Sequence, residues 1–304
     1  MLAQASIHVR ARPLASRLAR PRHAGLRQHE VAHFNVVITV AAAALRAATT
    51  RIDRLDAEVL LAHVVGLDRM ALLLALDRAI DPAAFAALVD RRAAGEPVAY
   101  ITGRREFWSL DLCVTRDVLI PRPDSETLIA AAVAHFAGTS GPRRVLDLGT
   151  GSGALLLAAL SEWPAAMGIG IDASAPALVV ALANATRLGF GDRTAFVHGG
   201  WDAGEGRYDL ILCNPPYVAT ADQLPRDVVD WEPQAALFAG ADGLAEYRHL
   251  APVIAARLAR NGVACVEIGS TQADAVALLF TGAGLDVTLL RDLAGLSRCL
   301  TVTN

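Results

Sequence analysis

Asn214-Pro215-Pro216-Tyr217 directly follows the β-rich run 208–213 and offers a dense set of hydrogen-bond acceptors. Two prolines fix φ and remove N–H donors, so the carbonyls of Asn214 and Pro215 are held outward as acceptors. The Asn214 side-chain oxygen and the Pro215 carbonyl match the two hydrogens of an NH2 group, and Tyr217 can lie against the planar system that carries it. That chemistry suits methylation of an amide, or of an exocyclic amine on a nucleobase. Upstream stands Asp147-Leu148-Gly149-Thr150-Gly151-Ser152-Gly153-Ala154. Its three glycines let the backbone turn tightly and approach a ligand without Cβ interference, and the helix that follows presents free N–H groups. With Ala154 the run also satisfies the relaxed dinucleotide pattern. Asp172 ends the next β-rich run, where a carboxylate can accept both ribose hydroxyls of an adenosine-containing cofactor. Ser174 can cap the following helix, which leaves Asp172 free for that role. These two features define a nucleoside cofactor and do not separate NAD from S-adenosylmethionine; the Asn-Pro-Pro-Tyr element favours the second.

These residues need a scaffold, and the sequence describes one. From about Arg143 onward, β-rich runs alternate with helical ones, which implies a parallel sheet covered on both faces. Seven strands are expected: Arg144 to Leu148, Gly168 to Ile171, Thr194 to His198, Tyr208 to Cys213, Gly262 to Ile268, Asp286 to Leu290 and Cys299 to Thr303. The last two are close enough to pair as an antiparallel hairpin. Residues 214–243 form a long connection, and long connections in compact domains are disproportionately functional. Ahead of the sheet, residues 37–95 are helical. Asp53 can cap a helix with apolar positions Leu55, Val59, Leu60, Val64 and Val65 that ends at Gly66. Asp81 and Pro82 open a second helix that buries Phe85, Leu88 and Val89 and stops at Gly95. Residues 106–120 alternate like strands and run into Ile120-Pro121-Arg122-Pro123, an extended link. The expected domains are therefore an extension over 1–36, a helical substrate-recognition domain over 37–105, a β-hairpin and linker over 106–123, and the sheet domain over 124–304.

Composition narrows the function classes. A formal net charge of -3 argues against a protein that grips long nucleic acid through its phosphates. No apolar run approaches the ~20 residues of a membrane span, so no membrane partner is expected. The four cysteines, Cys113, Cys213, Cys265 and Cys299, form no CxxC pair, which suits reduced thiols in the cytoplasm and indicates neither metal nor disulfide. All 28 basic residues are arginine, a sign of coding bias that strips arginine counts of functional weight. Six of them stand before residue 28 against the single acid Glu30. That composition resembles a transit peptide, but Pro13 and Pro21 interrupt any amphipathic pattern. The segment reads better as disordered, or as lying ahead of the true translation start.

With these features in place, the chain from about residue 37 to 304 resembles the protein-(glutamine-N5) methyltransferases of peptide chain release factors. Besides the glycine loop and the Asn-Pro-Pro-Tyr element, the likeness lies in Asp56 to Leu61, Glu96 to Gly103, Ile120 to Glu126, Glu232 to Leu237, Gly240 to Leu244, and Glu267 to Gly269 with Gln272. Separate matches in the right order are far more specific than any one of them. The resemblance implies a class I S-adenosylmethionine-dependent methyltransferase: a Rossmann-like α/β fold, with a seven-stranded sheet whose last strand is antiparallel, plus a small N-terminal helical domain. It implies that Asp147, Gly149, Thr150, Gly151, Ser152, Gly153 and Asp172, with Asn214, hold S-adenosylmethionine, and that Trp201 packs near its adenine. Gly200 departs from the polar residue common before that tryptophan. Asn214, Pro215, Pro216 and Tyr217 would hold the glutamine, with Asn214, Pro215 and Tyr217 as the catalytic set. Arg122, Glu126 and Glu232 are candidates to shape the pocket or to form ion pairs. The implied partner is a class 1 release factor, bound by a cytoplasmic monomer. The runner-up readings are an adenine-N6 or guanine-N2 nucleic-acid methyltransferase, which lacks support from any basic target-recognition domain, and a nucleotide-binding protein without methyl transfer.

Overall fold

The computed structural model describes residues 39–304; the arginine-rich segment 1–36 and the first two residues of the helical region lie outside them. The helical region runs β1 (Thr39–Val40), α1 (Ala41–Ala48), α2 (Arg54–Val65), α3 (Arg69–Leu73), β2 (Ala79–Ile80), α4 (Pro82–Ala93) and α5 (Val98–Thr102), with β1 and β2 paired antiparallel. Its core is Leu45, Leu60, Leu61, Leu72, Phe85 and Val89. Asp81 caps α4 by accepting the Ala83 N–H at 2.9 Å, and Gly66 ends α2 at φ +68, as their residue types require. Two details of α2 differ from expectation. Asp53 sits at the cap position without accepting a hydrogen bond, and the buried stripe is Ala57, Leu60, Leu61 and Ala62 while Leu55 is exposed. Glu58 shares the buried face because Arg54 and Arg69 neutralise it.

The expected β segment is shorter and starts earlier: β3 (Arg104–Phe107) and β4 (Leu110–Cys113) form a two-residue hairpin. Its turn residues Trp108 and Ser109 both have positive φ, +50 and +62, a conformation that side chains adopt only when surroundings enforce it. Glu126 accepts the Trp108 N–H at 2.9 Å and Glu106 the Ser109 N–H at 2.6 Å.

The sheet region continues with α6 (Glu126–His135), β5 (Arg144–Leu148), α7 (Ala154–Glu162), β6 (Met167–Asp172), α8 (Ala175–Arg187), β7 (Thr194–His198), β8 (Tyr208–Cys213), α9 (Arg226–Val229), α10 (Ala245–Arg257), β9 (Leu258–Glu267), α11 (Ala273–Gly282), β10 (Asp286–Arg291) and β11 (Ser297–Thr303). Strand order is β10-β11-β9-β8-β5-β6-β7. β11 runs antiparallel to both neighbours, and the five central and right-hand strands are parallel. Successive residues point to opposite faces. Val145, Leu210, Leu212, Val263 and Cys265 meet α6 and α7 on one face. Leu146, Leu148, Ile211, Ala264 and Val266 meet α10 and α11 on the other. Covering both faces explains why these strands read as continuous apolar runs. The same alternation puts Asp147 on the face of Val145, and Glu267 on the face of Cys265.

Because the chain moves from β5 outward to β6 and β7 and then returns to β8, the connections after β5 and β8 diverge. A crevice opens there, at the carboxyl ends of the strands.

Candidate active site

The crevice holds a cavity of about 460 Å³, lined by Gly149, Thr150, Gly151, Ser152, Asp172, Trp201, Asn214 and Pro216 among the residues singled out from sequence. Gly149, Gly151 and Gly153 all adopt positive φ, +74, +53 and +83, which glycine does without the penalty other residues meet. At Gly149 a further reason is space: a Cβ would stand 3.2 Å and 3.3 Å from ring atoms of Trp201 and 3.9 Å from the Asn214 carbonyl oxygen. The glycine loop, the tryptophan and the Asn-Pro-Pro-Tyr element thus converge on one spot. Trp201 is fixed by its Nε1–H, which donates to Glu246 Oε2 at 2.5 Å. Gly199 and Gly200 complete that wall.

Asp172 is more committed than expected. Ser174 does cap α8, accepting from the Ala177 N–H at 3.2 Å, yet Asp172 itself accepts the Gly151 N–H on Oδ2 and the Ser174 N–H on Oδ1, each at 2.8 Å. It ties the glycine loop to the next turn, and each oxygen keeps one lone-pair direction for a ligand.

Asp147, Gly153, Pro215 and Tyr217 do not line the cavity. Gly153 stands at the start of α7. Asp147 lies wholly buried beneath the loop, its Oδ2 accepting the Thr150 hydroxyl at 2.7 Å and its Oδ1 without a partner among the described residues. Burial pushes its carboxyl up to about 7, against the lowering effect of Thr150. Pro215 is buried, and neither its carbonyl nor that of Asn214 accepts a hydrogen bond among the described residues. Tyr217 aims its hydroxyl at Glu267 Oε1, 3.4 Å away, and burial pushes that phenol up to about 12.

Behind Asn214 lies a relay that residue types alone did not reveal. Asn214 Nδ2 donates to Ser125 Oγ at 3.2 Å, and Ser125 donates in turn to Glu267 Oε2. Burial pushes the Glu267 carboxyl up to about 7, with the Ser125 hydrogen bond opposing. Ser125 and Glu267 both fall in segments that carry the family resemblance, but 142 residues separate them, so only folding joins them. Other resembling segments prove to be braces. Glu232, buried, accepts the Ile120 N–H at 3.1 Å and pairs with Arg122 at 2.5 Å, pinning the linker to the long connection. Gln272 Nε2 donates to the Tyr217 carbonyl at 2.9 Å.

The comparisons with known proteins agree with this architecture. A family model for the PrmC N-terminal domain matches residues 37–103, and one for the Methyltransferase small domain matches residues 126–231. The release factor glutamine methyltransferase of Rhodospirillum rubrum is 46% identical over 84% of this chain and 80% of its own length. That of Bradyrhizobium diazoefficiens is 42% identical over 85% of this chain and 91% of its own length. Among solved structures, the hMettl16 catalytic domain in complex with MAT2A 3'UTR hairpin 6 superimposes with a TM-score of 0.51 at 19% identity, covering 71% of this chain and 81% of that one, a likeness of fold. With two relatives above 40% identity over more than four fifths of the chain, this protein belongs to the release factor glutamine methyltransferase family.

Proposed function

We infer that this chain transfers a methyl group from S-adenosylmethionine to the side-chain amide nitrogen of the glutamine in the Gly-Gly-Gln motif of class 1 peptide chain release factors. The observation that carries this reading is the acceptor at one end of the cavity: Asn214, on the cavity wall, spends its Nδ2 on Ser125 and leaves Oδ1 for an NH2 group, and the next carbonyl along the chain, that of Pro215 just behind the wall, accepts no hydrogen bond among the described residues. The other end fits the cofactor, with a glycine cradle that a Cβ would fill and a carboxylate with lone pairs to spare.

In the proposed assignment Gly149, Thr150, Gly151, Ser152, Asp172 and Trp201 hold S-adenosylmethionine, and Asn214 and Pro216, on the cavity wall, receive the glutamine with Pro215 and Tyr217 directly behind them. Asp147 and Gly153 shape the loop from behind rather than touching the ligand. When bound, the cofactor supplies an electrophilic methyl group on a sulfonium. The amide nitrogen is a poor nucleophile because its lone pair is delocalised, a conjugation reflected in the ~18–20 kcal/mol barrier to rotation about such bonds. Asn214 Oδ1 and the Pro215 carbonyl orient the NH2 group and stabilise positive charge growing on nitrogen. Holding both reactants in attack geometry contributes up to about 7–11 kcal/mol. The nitrogen gains the methyl and loses a proton, which leaves to water.

The helical region chooses the substrate, because a glutamine side chain has too few atoms to define one target. The protein acts in the cytoplasm as a monomer; no helix among the described residues is long and apolar enough to cross a membrane. Mass spectrometry of a class 1 release factor after incubation with enzyme and cofactor tests the reaction: one added methyl on the Gly-Gly-Gln glutamine is expected. Methylation of DNA or RNA in preference to the factor would overturn it. Equal kcat/KM for the intact factor and a short Gly-Gly-Gln peptide would overturn the role of the helical region.

A further inference from the structure

We propose that Ser125 and Glu267 are positioning residues that hold the Asn214 side chain with its oxygen toward the substrate, and that protonation of Glu267 releases this orientation. The proposal rests on the amide-methylating reading above.

A primary amide turned by 180° keeps its shape but exchanges acceptor for donor. Facing a substrate NH2 group, the turned Asn214 would present hydrogens to hydrogens. What decides the orientation is the group behind it, and that group is a hydroxyl with one proton. While Glu267 is a carboxylate it only accepts, so Ser125 must donate to it. Ser125 can then only accept from Asn214, which brings Nδ2 to the hydroxyl at 3.2 Å and leaves Oδ1 facing outward. Once Glu267 carries a proton on Oε2, it donates to Ser125. The Ser125 proton is then free for Asn214 Oδ1, and both orientations are satisfied.

The surroundings of Glu267 favour such a change. From the turn before α6 come Ser125 and Asp124; from the long connection, the Tyr217 hydroxyl at 3.4 Å; from α10, the Tyr247 hydroxyl, which donates to the Glu267 backbone carbonyl at 2.9 Å. The buried thiols of Cys213 and Cys299 lie on neighbouring strands. Arg298 of β11 is the nearby cation, but it pairs with Asp124 at 3.0 Å and Asp292 at 3.3 Å, and no ion pair among the described residues reaches Glu267. Burial therefore outweighs the favourable contacts and pushes the carboxyl up to about 7. As pH falls through that value the relay loses its direction, and turnover falls with it.

The test is the pH profile of kcat, at saturating cofactor and release factor, for the wild type, Ser125→Ala, Ser125→Thr and Glu267→Gln. The wild type should show an acidic limb near pH 7. Glu267→Gln removes the titrating proton whichever way its amide faces Ser125, so kcat should be flat between about pH 6 and 8. Ser125→Ala should lower kcat about 10- to 100-fold at all pH with cofactor affinity nearly unchanged, and Ser125→Thr, which keeps the hydroxyl, should recover most of the loss. Melting curves check folding; if Glu267→Gln fails to fold, the alanine and threonine variants decide between them. The side-chain amide 15N and 1H signals of Asn214, followed across the same pH range in protein without substrate, need no methyl transfer at all. They should shift with the midpoint of the Glu267 carboxyl 13C signal. A wild type that methylates no release factor while these signals move together would defeat the functional reading and leave the relay standing. An unchanged acidic limb in Glu267→Gln, a kcat for Ser125→Ala within twofold of wild type, or Asn214 signals indifferent to pH would overturn the relay.

Discussion

In the helical region Glu58 and Glu96 are buried, and arginines surround both. Glu58 is held by Arg54 at 2.8 Å and Arg69 at 2.7 Å; Glu96 meets Arg91 at 2.7 Å in a two-pronged pair, with Arg116 at 3.6 Å. These arginine hydrogen bonds hold both carboxyls below the usual range. In the sheet region Asp147 and Glu267 are buried more deeply, no basic side chain among the described residues pairs with either, and burial pushes both up to about 7. The helical region neutralises its buried charges with long side chains whose heads reach water, so the charges cost little and fix the packing. The sheet region pairs its buried Glu232 with Arg122 but leaves Asp147 and Glu267 uncompensated at the strand ends beneath the cavity. Unneutralised buried carboxylates are poor structural devices, and a fold retains them where a site uses their polarity.

The largest expected effect sharpens this contrast at the outer end of the relay. Asn214→Ala removes an acceptor aimed at the transferring nitrogen, and kcat should fall on the order of 100- to 1000-fold, the loss seen for one preorganised polar contact. Cofactor affinity and melting temperature should change little. Turnover within a few-fold of wild type would mean that the polarity behind the cavity serves packing after all. A smaller effect is expected at the cofactor end, which is built from backbone. Gly149→Ala must hold φ near +74 and push the Trp201 ring back by a few tenths of an ångström, at a cost of about 1–2 kcal/mol. Calorimetric titration should give a cofactor Kd roughly tenfold weaker, with kcat at saturating cofactor largely kept.

The carboxylates also set opposite trends of stability with pH. Folding raises the Asp147 carboxyl from an ordinary value of 3.8 to about 7, and Glu267 from 4.5 to about 7. Between those limits the folded state binds more protons than the unfolded one, so these groups lower stability progressively as pH rises toward 7. Glu58 and Glu96 are lowered, so their stabilisation is complete above 4.5 and is lost as pH falls below it. The melting temperature should therefore be higher near about pH 5 than near about pH 8. Asp147→Asn, which keeps the shape and removes the charge, should flatten that decline. A wild-type melting temperature that climbs steadily from pH 5 to 8 would show that the sheet-region pair is compensated by something else.

How much of this was legible beforehand follows from how local each signal is. The glycine loop, Asp172 and Asn-Pro-Pro-Tyr announce themselves because each is a short run whose residue types dictate backbone shape. The parallel sheet followed from apolar runs spaced by helical ones, and its antiparallel last strand from two runs too close together to hold a helix between them. The position of Asp147 was not legible: next to the loop in sequence, it is carried beneath it by strand alternation. Ser125 and Glu267 stood inside recognisable segments, but nothing local says that a serine before one helix meets a glutamate at the end of β9. Glu58 was hidden for a related reason. A charged residue on a helix reads as exposed until the partners that bury it are known.

That helix offers the smallest effect. Arg54 is one of two arginines on Glu58, and three observations say it is the dispensable one. Its side chain is 75% exposed, so its interaction is screened by water, whereas Arg69 is 46% exposed and closer. It lies four residues ahead of its acid, the less favourable order for such a pair. It is also the first residue of α2, where a cation meets the positive end of the helix dipole. Arg54→Ala should therefore cost at most about 0.5 kcal/mol in chemical denaturation and leave methyl transfer unchanged. Arg69→Ala should cost more, because the carboxylate would then be left with the exposed partner alone. If Arg54→Ala instead lowered kcat as well as stability, the buried charges of the helical region would be tied to chemistry too, and the division between the two regions would not hold.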